Sequence, residues 1–101
     1  AAGVPLVVDN TLASRQTVLE VSGLDRPGLL YDLTTAIGRL HLNIASAHIV
    51  TFGERAVDTF YVTDLTGAKI ASPSRQNNIR RALLDVLRTE DGSRAAAVRQ
   101  G

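Results

Sequence analysis

One hundred and one residues with 45% hydrophobic side chains supply one core and not two, so the chain reads as a single module. Eleven Lys and Arg against ten Asp and Glu leave a net charge of +1, too weak a field to attract nucleic acid or an anionic membrane. Cysteine is absent, which excludes disulfides, thiolate catalysis and Cys-type zinc sites. With Met and Trp also absent and an Ala1-Ala2-Gly3 start, a piece of a longer polypeptide is to be expected at least as much as a whole protein. No run approaches the roughly 20 apolar residues of a membrane span, and no basic segment leads into an apolar one at the start, so the expected setting is a soluble, cytoplasmic module.

In chain order, Val4 to Val8 is a β-branched apolar run closed by the turn-forming pair Asp9-Asn10, which predicts a short strand. Thr17 to Ser22 alternates cleanly, with Thr17, Leu19 and Val21 on one face and Val18, Glu20 and Ser22 on the other, which predicts a second strand. Leu24-Asp25-Arg26-Pro27-Gly28 is a loop into a helix, with Pro27 placed for a first helical position. From Leu29 the period becomes helical, in a helix read from Gly28 to Leu40, and Leu29, Leu30, Leu33, Ile37 and Leu40 share one side. Ile44 to Phe52 and Ala56 to Asp64 are extended runs joined by Gly53-Glu54-Arg55, an antiparallel hairpin. Ala45 and Ala47 alternate with Ser46 and His48, so one face of the first run is expected to accept a closely packed helix. Leu65 to Ala71 is a connecting loop. Ser72-Pro73 opens a second helix whose buried stripe is Ile79, Ala82, Leu83, Val86 and Leu87.

The order is ββαββα, a permutation of the βαββαβ ferredoxin-like sandwich. The expected fold is therefore α+β: a four-stranded antiparallel sheet with both helices on one face, the first short strand filling the edge slot beside Thr17 to Ser22. One domain spans 1–93, with its core in 17–87, and 94–101 is expected to be a flexible tail.

Catalysis has little to draw on. His41 and His48 have no Ser or Cys nucleophile at a recognised spacing, and Walker, G-x-G-x-x-G and H-E-x-x-H patterns are absent, so neither catalytic residue, metal nor cofactor is expected in this domain. His41 is expected to complement the end of the first helix, and His48 to serve structure or an interface. Asp58 and Asp64 read as solvated or edge-protecting charges. Base-stacking RNA recognition lacks its pattern, with only Tyr31, Phe52, Phe60 and Tyr61 as aromatics. The loop at 24–30 differs: free amides and the positive end of a helix dipole make a carboxylate or phosphate site, and Gly28 permits close approach. The alternative is that Asp25 only caps the helix and Gly28 only turns the chain.

Asp25-Arg26-Pro27-Gly28-Leu29-Leu30, followed after one helix by Leu42-Asn43-Ile44 and a hairpin, resembles the ACT domain family. V-V-D-N at 7–10, V-L-E-V at 18–21, L-N-I-A-S-A-H-I at 42–49 and E-R-A-V-D-T-F-Y-V-T-D at 54–64 extend the resemblance in order. It implies a regulatory module that senses an amino acid, glutamine in the nearest resemblance. The contacts it implies come from the loop, at Asp25, Arg26, Pro27, Gly28, Leu29 and Leu30, and from Asn43, with Ile44 as a wall and Ser46 as a partner for a ligand amide. Some members carry Asn where Asp25 stands. A carboxylate cannot donate, so Asp25 is expected either to meet the ligand's ammonium or to cap, while the ligand's carboxylate takes the Gly28–Leu30 amides. A helix of 13 residues rises about 20 Å, which puts Asn43 at the far end of the module from Gly28. If both touch one ligand, the site lies between two modules, so a second copy or a neighbouring ACT domain is an expected partner. A ligand-free association module is the rival reading.

Overall fold

A computed structural model describes residues 6–13 and 15–88. Its elements are β1 (Leu6–Asp9), β2 (Thr17–Leu24), α1 (Leu29–Arg39), β3 (Leu42–Phe52), β4 (Arg55–Asp64) and α2 (Pro73–Arg88). The order is the ββαββα expected. All three strand pairings are antiparallel, and the sheet order is β1-β2-β4-β3, so β1 takes the edge beside β2. Val4, Pro5, the domain boundary at 93 and the expected tail lie outside the described residues.

The core explains the layering. Leu19 and Val21 of β2 and Phe60 and Val62 of β4 share one sheet face and one buried cluster with Leu29, Leu33 and Ile37 of α1 and Ile79, Leu83 and Leu87 of α2. Both helices therefore cover the same face. The helical stripes are narrower than the sequence suggests. In α1 the buried residues fall four apart, and Leu30, one step round the helix from Leu29, is 45% exposed. Helix α1 also begins at Leu29, with Pro27 two residues outside it. At the start of α2, Ser72 caps as expected: its Oγ accepts from the Arg75 amide at 3.4 Å and its carbonyl from the Gln76 amide at 3.0 Å.

The β3–β4 hairpin closes tightly. Phe52 pairs with Arg55, leaving a two-residue turn of Gly53 and Glu54 with φ of 57° at Gly53. Ile44 pairs with Val62 and Ser46 with Tyr61, so Ala45 is a bulge. Beyond it Ala47, Ile49 and Thr51 lie on the helix face and Ser46, His48 and Val50 on the open one. The expected packing of a helix on Ala45 and Ala47 does not occur. Every residue from Asn43 to Phe52 is exposed, as suits the edge strand of the sheet, and the bulge removes Ala45 from the alternation.

A polar chain fixes the other edge. Thr17, fully buried, donates from Oγ1 to Asn10 Oδ1 at 2.5 Å and accepts from the Ile70 amide at 2.9 Å. The Ile70 carbonyl accepts from Asn10 Nδ2 and Gln76 Nε2, both at 2.8 Å, and Lys69 Nζ donates to the Asn10 carbonyl at 2.6 Å. These bonds bury Ile70, in the loop between β4 and α2, against the β1–β2 turn.

Candidate ligand site at the start of α1

The loop before α1 is pinned at both ends. The Asp25 amide donates to the Glu54 carbonyl of the hairpin turn at 2.7 Å, and the Leu29 amide returns to the Arg26 carbonyl at 3.2 Å. Between them Gly28 is the N-cap residue with φ of 80° and ψ of −2°. A Cβ there would meet only Arg26 Nη1, at 3.9 Å, so glycine is required by backbone conformation and not by space. No side chain caps α1, which removes the alternative that Asp25 serves as its cap. Of the four amides a helix start leaves open, here those of Gly28 to Tyr31, Leu29 is satisfied by Arg26, while the Asp32 amide makes the first helical bond, to Gly28 at 2.9 Å, so Gly28, Leu30 and Tyr31 are the ones that can face an external acceptor.

Beside this turn is a cavity of about 400 Å³. Asp25, Arg26, Gly28, Leu29, Leu30 and Tyr31 line one side, and Ile49 of β3 and Asp58 of β4 the other. Arg26 is folded back over the helix start: its guanidinium lies 3.0 Å from Asp32 Oδ2 and donates to the Pro27 carbonyl at 3.3 Å.

Asp58 corrects the sequence reading. It is 3% exposed, not solvated, and it lies on the same face of β4 as Phe60 and Val62. Its cross-strand neighbours are Val21 and Ile49, both apolar, and its buried Oδ1 has no hydrogen-bond partner among the described residues. Burial, and then the like charge of Asp25, hold its carboxyl above the ordinary carboxylate range. The period-2 pattern of β4 carried this signal. Ile49 was missed because its role depends on the bulge.

Of the residues the resemblance implies, the structure brings Asp25, Arg26, Gly28, Leu29 and Leu30 together at the cavity, while Pro27 is not part of its lining. Asn43, Ile44 and Ser46 lie elsewhere. Asn43 pairs with Thr63 and Ile49 with Asp58, so six residues of strand, about 20 Å, separate Asn43 from the cavity. One module does not close both groups round one small ligand.

The histidines stand apart from the cavity. His41, at φ of 59°, ends α1 in the left-handed conformation, and the carbonyls of Leu40 and His41 accept from Arg75 Nη2 at 3.0 and 3.1 Å. Complementation of that helix end thus comes from Arg75 rather than from His41. His48 stands edge-on to Tyr61 on the open sheet face, with ring centroids 5.6 Å apart. Among the described residues no cluster of three His, Asp or Glu could hold a metal, and no helix is long and apolar enough to cross a membrane.

Comparison with known proteins agrees with the fold. The ACT domain profile matches residues 17–72, from the start of β2 to the residue before α2. The chain belongs to the ACT domain family. It is similar to part of the bifunctional uridylyltransferase/uridylyl-removing enzyme of Rhodopseudomonas palustris, at 61% identity over 90 residues, 89% of this chain and 10% of that protein. Proteins of the same description from a Bradyrhizobium species, 63% identical over 86 residues, and from Nitrobacter hamburgensis, 63% over 82, match 85% and 81% of the chain and 9% of their own length each. The chain thus spans about a tenth of the curated relatives it matches. This ACT domain is a small regulatory domain, and its relatives are enzymes of which the matching segment is a minor part.

Proposed function

We propose that this ACT domain senses an amino acid, glutamine first among them, and biases a longer uridylyltransferase/uridylyl-removing enzyme between its two activities on the nitrogen-regulatory PII protein. The observation that carries the reading is the cavity at the start of α1, where the open Leu30 and Tyr31 amides stand near the carboxylates of Asp25 and Asp58. Amide donors and carboxylate acceptors around one cavity suit a zwitterion. Identity above 60% to enzymes of that activity supports the parent assignment. The uridylyl chemistry, with its UTP and magnesium, belongs to the longer protein, which works in the cytoplasm.

The regulatory step asked of the domain is small. Asn43, Ile44 and Ser46 of a second module complete the site about the ligand, so a ligand that favours one arrangement of paired modules shifts the population by its differential affinity. The rival is an association module without a ligand, which the exposed apolar residues Ile49, Val50 and Phe52 of β3 favour.

Titration calorimetry of the chain with L-glutamine, read together with molecular mass by light scattering, separates the two. The expected result is saturable heat and a shift toward the dimer. Absence of heat and of any thermal shift, with glutamine and with a panel of other amino acids, overturns the sensing reading in favour of the rival.

A further inference from the structure

We propose that Asp58 is the ammonium-binding residue of this domain: its buried carboxylate takes the cationic group of a zwitterionic amino acid whose own carboxylate faces the Leu30 and Tyr31 amides. The inference rests on the amino-acid reading above and assigns within it a residue from β4, outside the loop that the resemblance points to.

Three observations carry it. First, Asp58 is almost fully buried between two apolar cross-strand neighbours, Val21 and Ile49, and its Oδ1 finds no hydrogen-bond donor among the described residues. A buried carboxylate without a donor is costly, and buried groups of this kind are otherwise paired. Second, the side chain lines the cavity, so a donor entering from solvent can reach it. Third, the charges around the cavity sum to negative. Asp25 and Asp58 are both carboxylates, whereas the one cation of the lining, Arg26, is held at 3.0 Å by Asp32. The charged residues that share the cavity with Asp58 are these two of the loop, Asp25 and Arg26, while β3 contributes only Ile49.

Asp25 is exposed, so it keeps its hydration and contributes attraction more than a fixed contact. Asp58 has already lost its water, so an ammonium that reaches it gains a charge-assisted hydrogen bond without further desolvation of the acceptor. The rise in the Asp58 pKa agrees with this: a bound cation reverses the shift and favours the ionised form. The open amides of α1 lie on the other side of the cavity and meet the ligand's negative end.

The test varies protein and ligand separately, with the whole chain. L-Glutamine and N-acetyl-L-glutamine, which has no ammonium, are titrated calorimetrically into the wild-type chain, Asp58→Asn and Asp25→Asn, and each protein is melted without ligand. Wild type is expected to bind glutamine and to show no measurable heat with the acetylated form. Asp58→Asn is expected to weaken glutamine about thirtyfold or more, the usual consequence of losing one partner of a buried charge pair, while unfolding at or above the wild-type temperature. Asp25→Asn should weaken it several-fold less. Glutamine affinity unchanged in a folded Asp58→Asn, or equal binding of the acetylated ligand by wild type, overturns the assignment of Asp58 and leaves the sensing reading standing. A wild-type chain that binds no amino acid overturns both. Should Asp58→Asn not fold, the acetylated ligand alone decides.

Discussion

Asp58 works against the fold that holds it. Its carboxyl has a raised pKa in the folded chain, so near the acid end the native state holds this proton more tightly than the unfolded state does. The stability it contributes is fully present below the ordinary carboxylate value and is lost as pH rises through the raised value. Asp9 and Asp64 have the opposite sign. Their carboxylates accept from Thr11 and Leu12, and from Thr66 and Ala68, which lowers both pKa values, so their contribution is present above the ordinary value and fades as pH falls through the lowered ones. Comparing urea unfolding of wild type and Asp58→Asn from pH 7 down to pH 3 isolates the first effect. The variant is expected to be the more stable at pH 7, with an advantage that shrinks as the wild-type carboxyl protonates. An advantage independent of pH would mean that the carboxylate is not strained by burial. The parity of β4 already put Asp58 beside Ala56, Phe60 and Val62 in the sequence. That it lacks a partner was not legible, because this depends on Val21 and Ile49, two residues brought opposite it by pairing across 37 and 9 positions of chain.

Elements were legible where local chemistry decides them. Turn residues at 9–10, 53–55 and 72–73 and the change of period at Leu29 placed all six, although Arg55 proves to belong to β4, and the permuted order followed from the apolar run before β2. The misplaced details share a cause. The bulge at Ala45, the exposure of β3 and the burial of Ile70 are set by contacts between elements, on which a window of sequence is silent. Ile70 is the clearest case, since Thr17, 53 residues away, accepts its amide. Thr17→Val keeps the shape and the strand propensity of position 17 but leaves the buried Ile70 amide and Asn10 Oδ1 without that partner. The expected cost is about 1–3 kcal/mol, a fall in Tm of roughly 4–8 °C for each kcal/mol, read by calorimetry or circular dichroism. Thr17→Ser retains the hydroxyl and should recover the larger part. Equal stability of Thr17→Val and wild type would show that water replaces the bond and that the β4–α2 loop is not held from β2.

For the whole molecule the decisive feature is the separation of the two halves of the implied site. The cavity with Asp58 lies near the hairpin turn, where the Asp25 amide bonds to Glu54, whereas Asn43 starts β3 about 20 Å away along a paired strand. A sheet held by ladders on both sides of β4 does not fold these ends together, so a ligand touching both residues must lie between copies. That geometry has a signature no single-module site shares. Asn43→Ala and Asp58→Asn are each expected to lose most glutamine binding as separate proteins. In an equimolar mixture, random pairing makes half the dimers mixed, and each mixed dimer carries one site free of substitutions and one with both, so about a quarter of wild-type sites return, at wild-type affinity. Calorimetric stoichiometry reads this fraction directly. Recovery requires exchange of partners, so the mixture is diluted and reconcentrated before titration, with wild type treated alike. Absence of recovery while both proteins remain dimeric by light scattering would place Asn43 and Asp58 in different sites, or Asn43 in none. Recovery would make dimer formation part of the ligand's own binding reaction, and would account for a sensing domain that leaves the edge strand carrying Asn43 exposed along its whole length after Leu42.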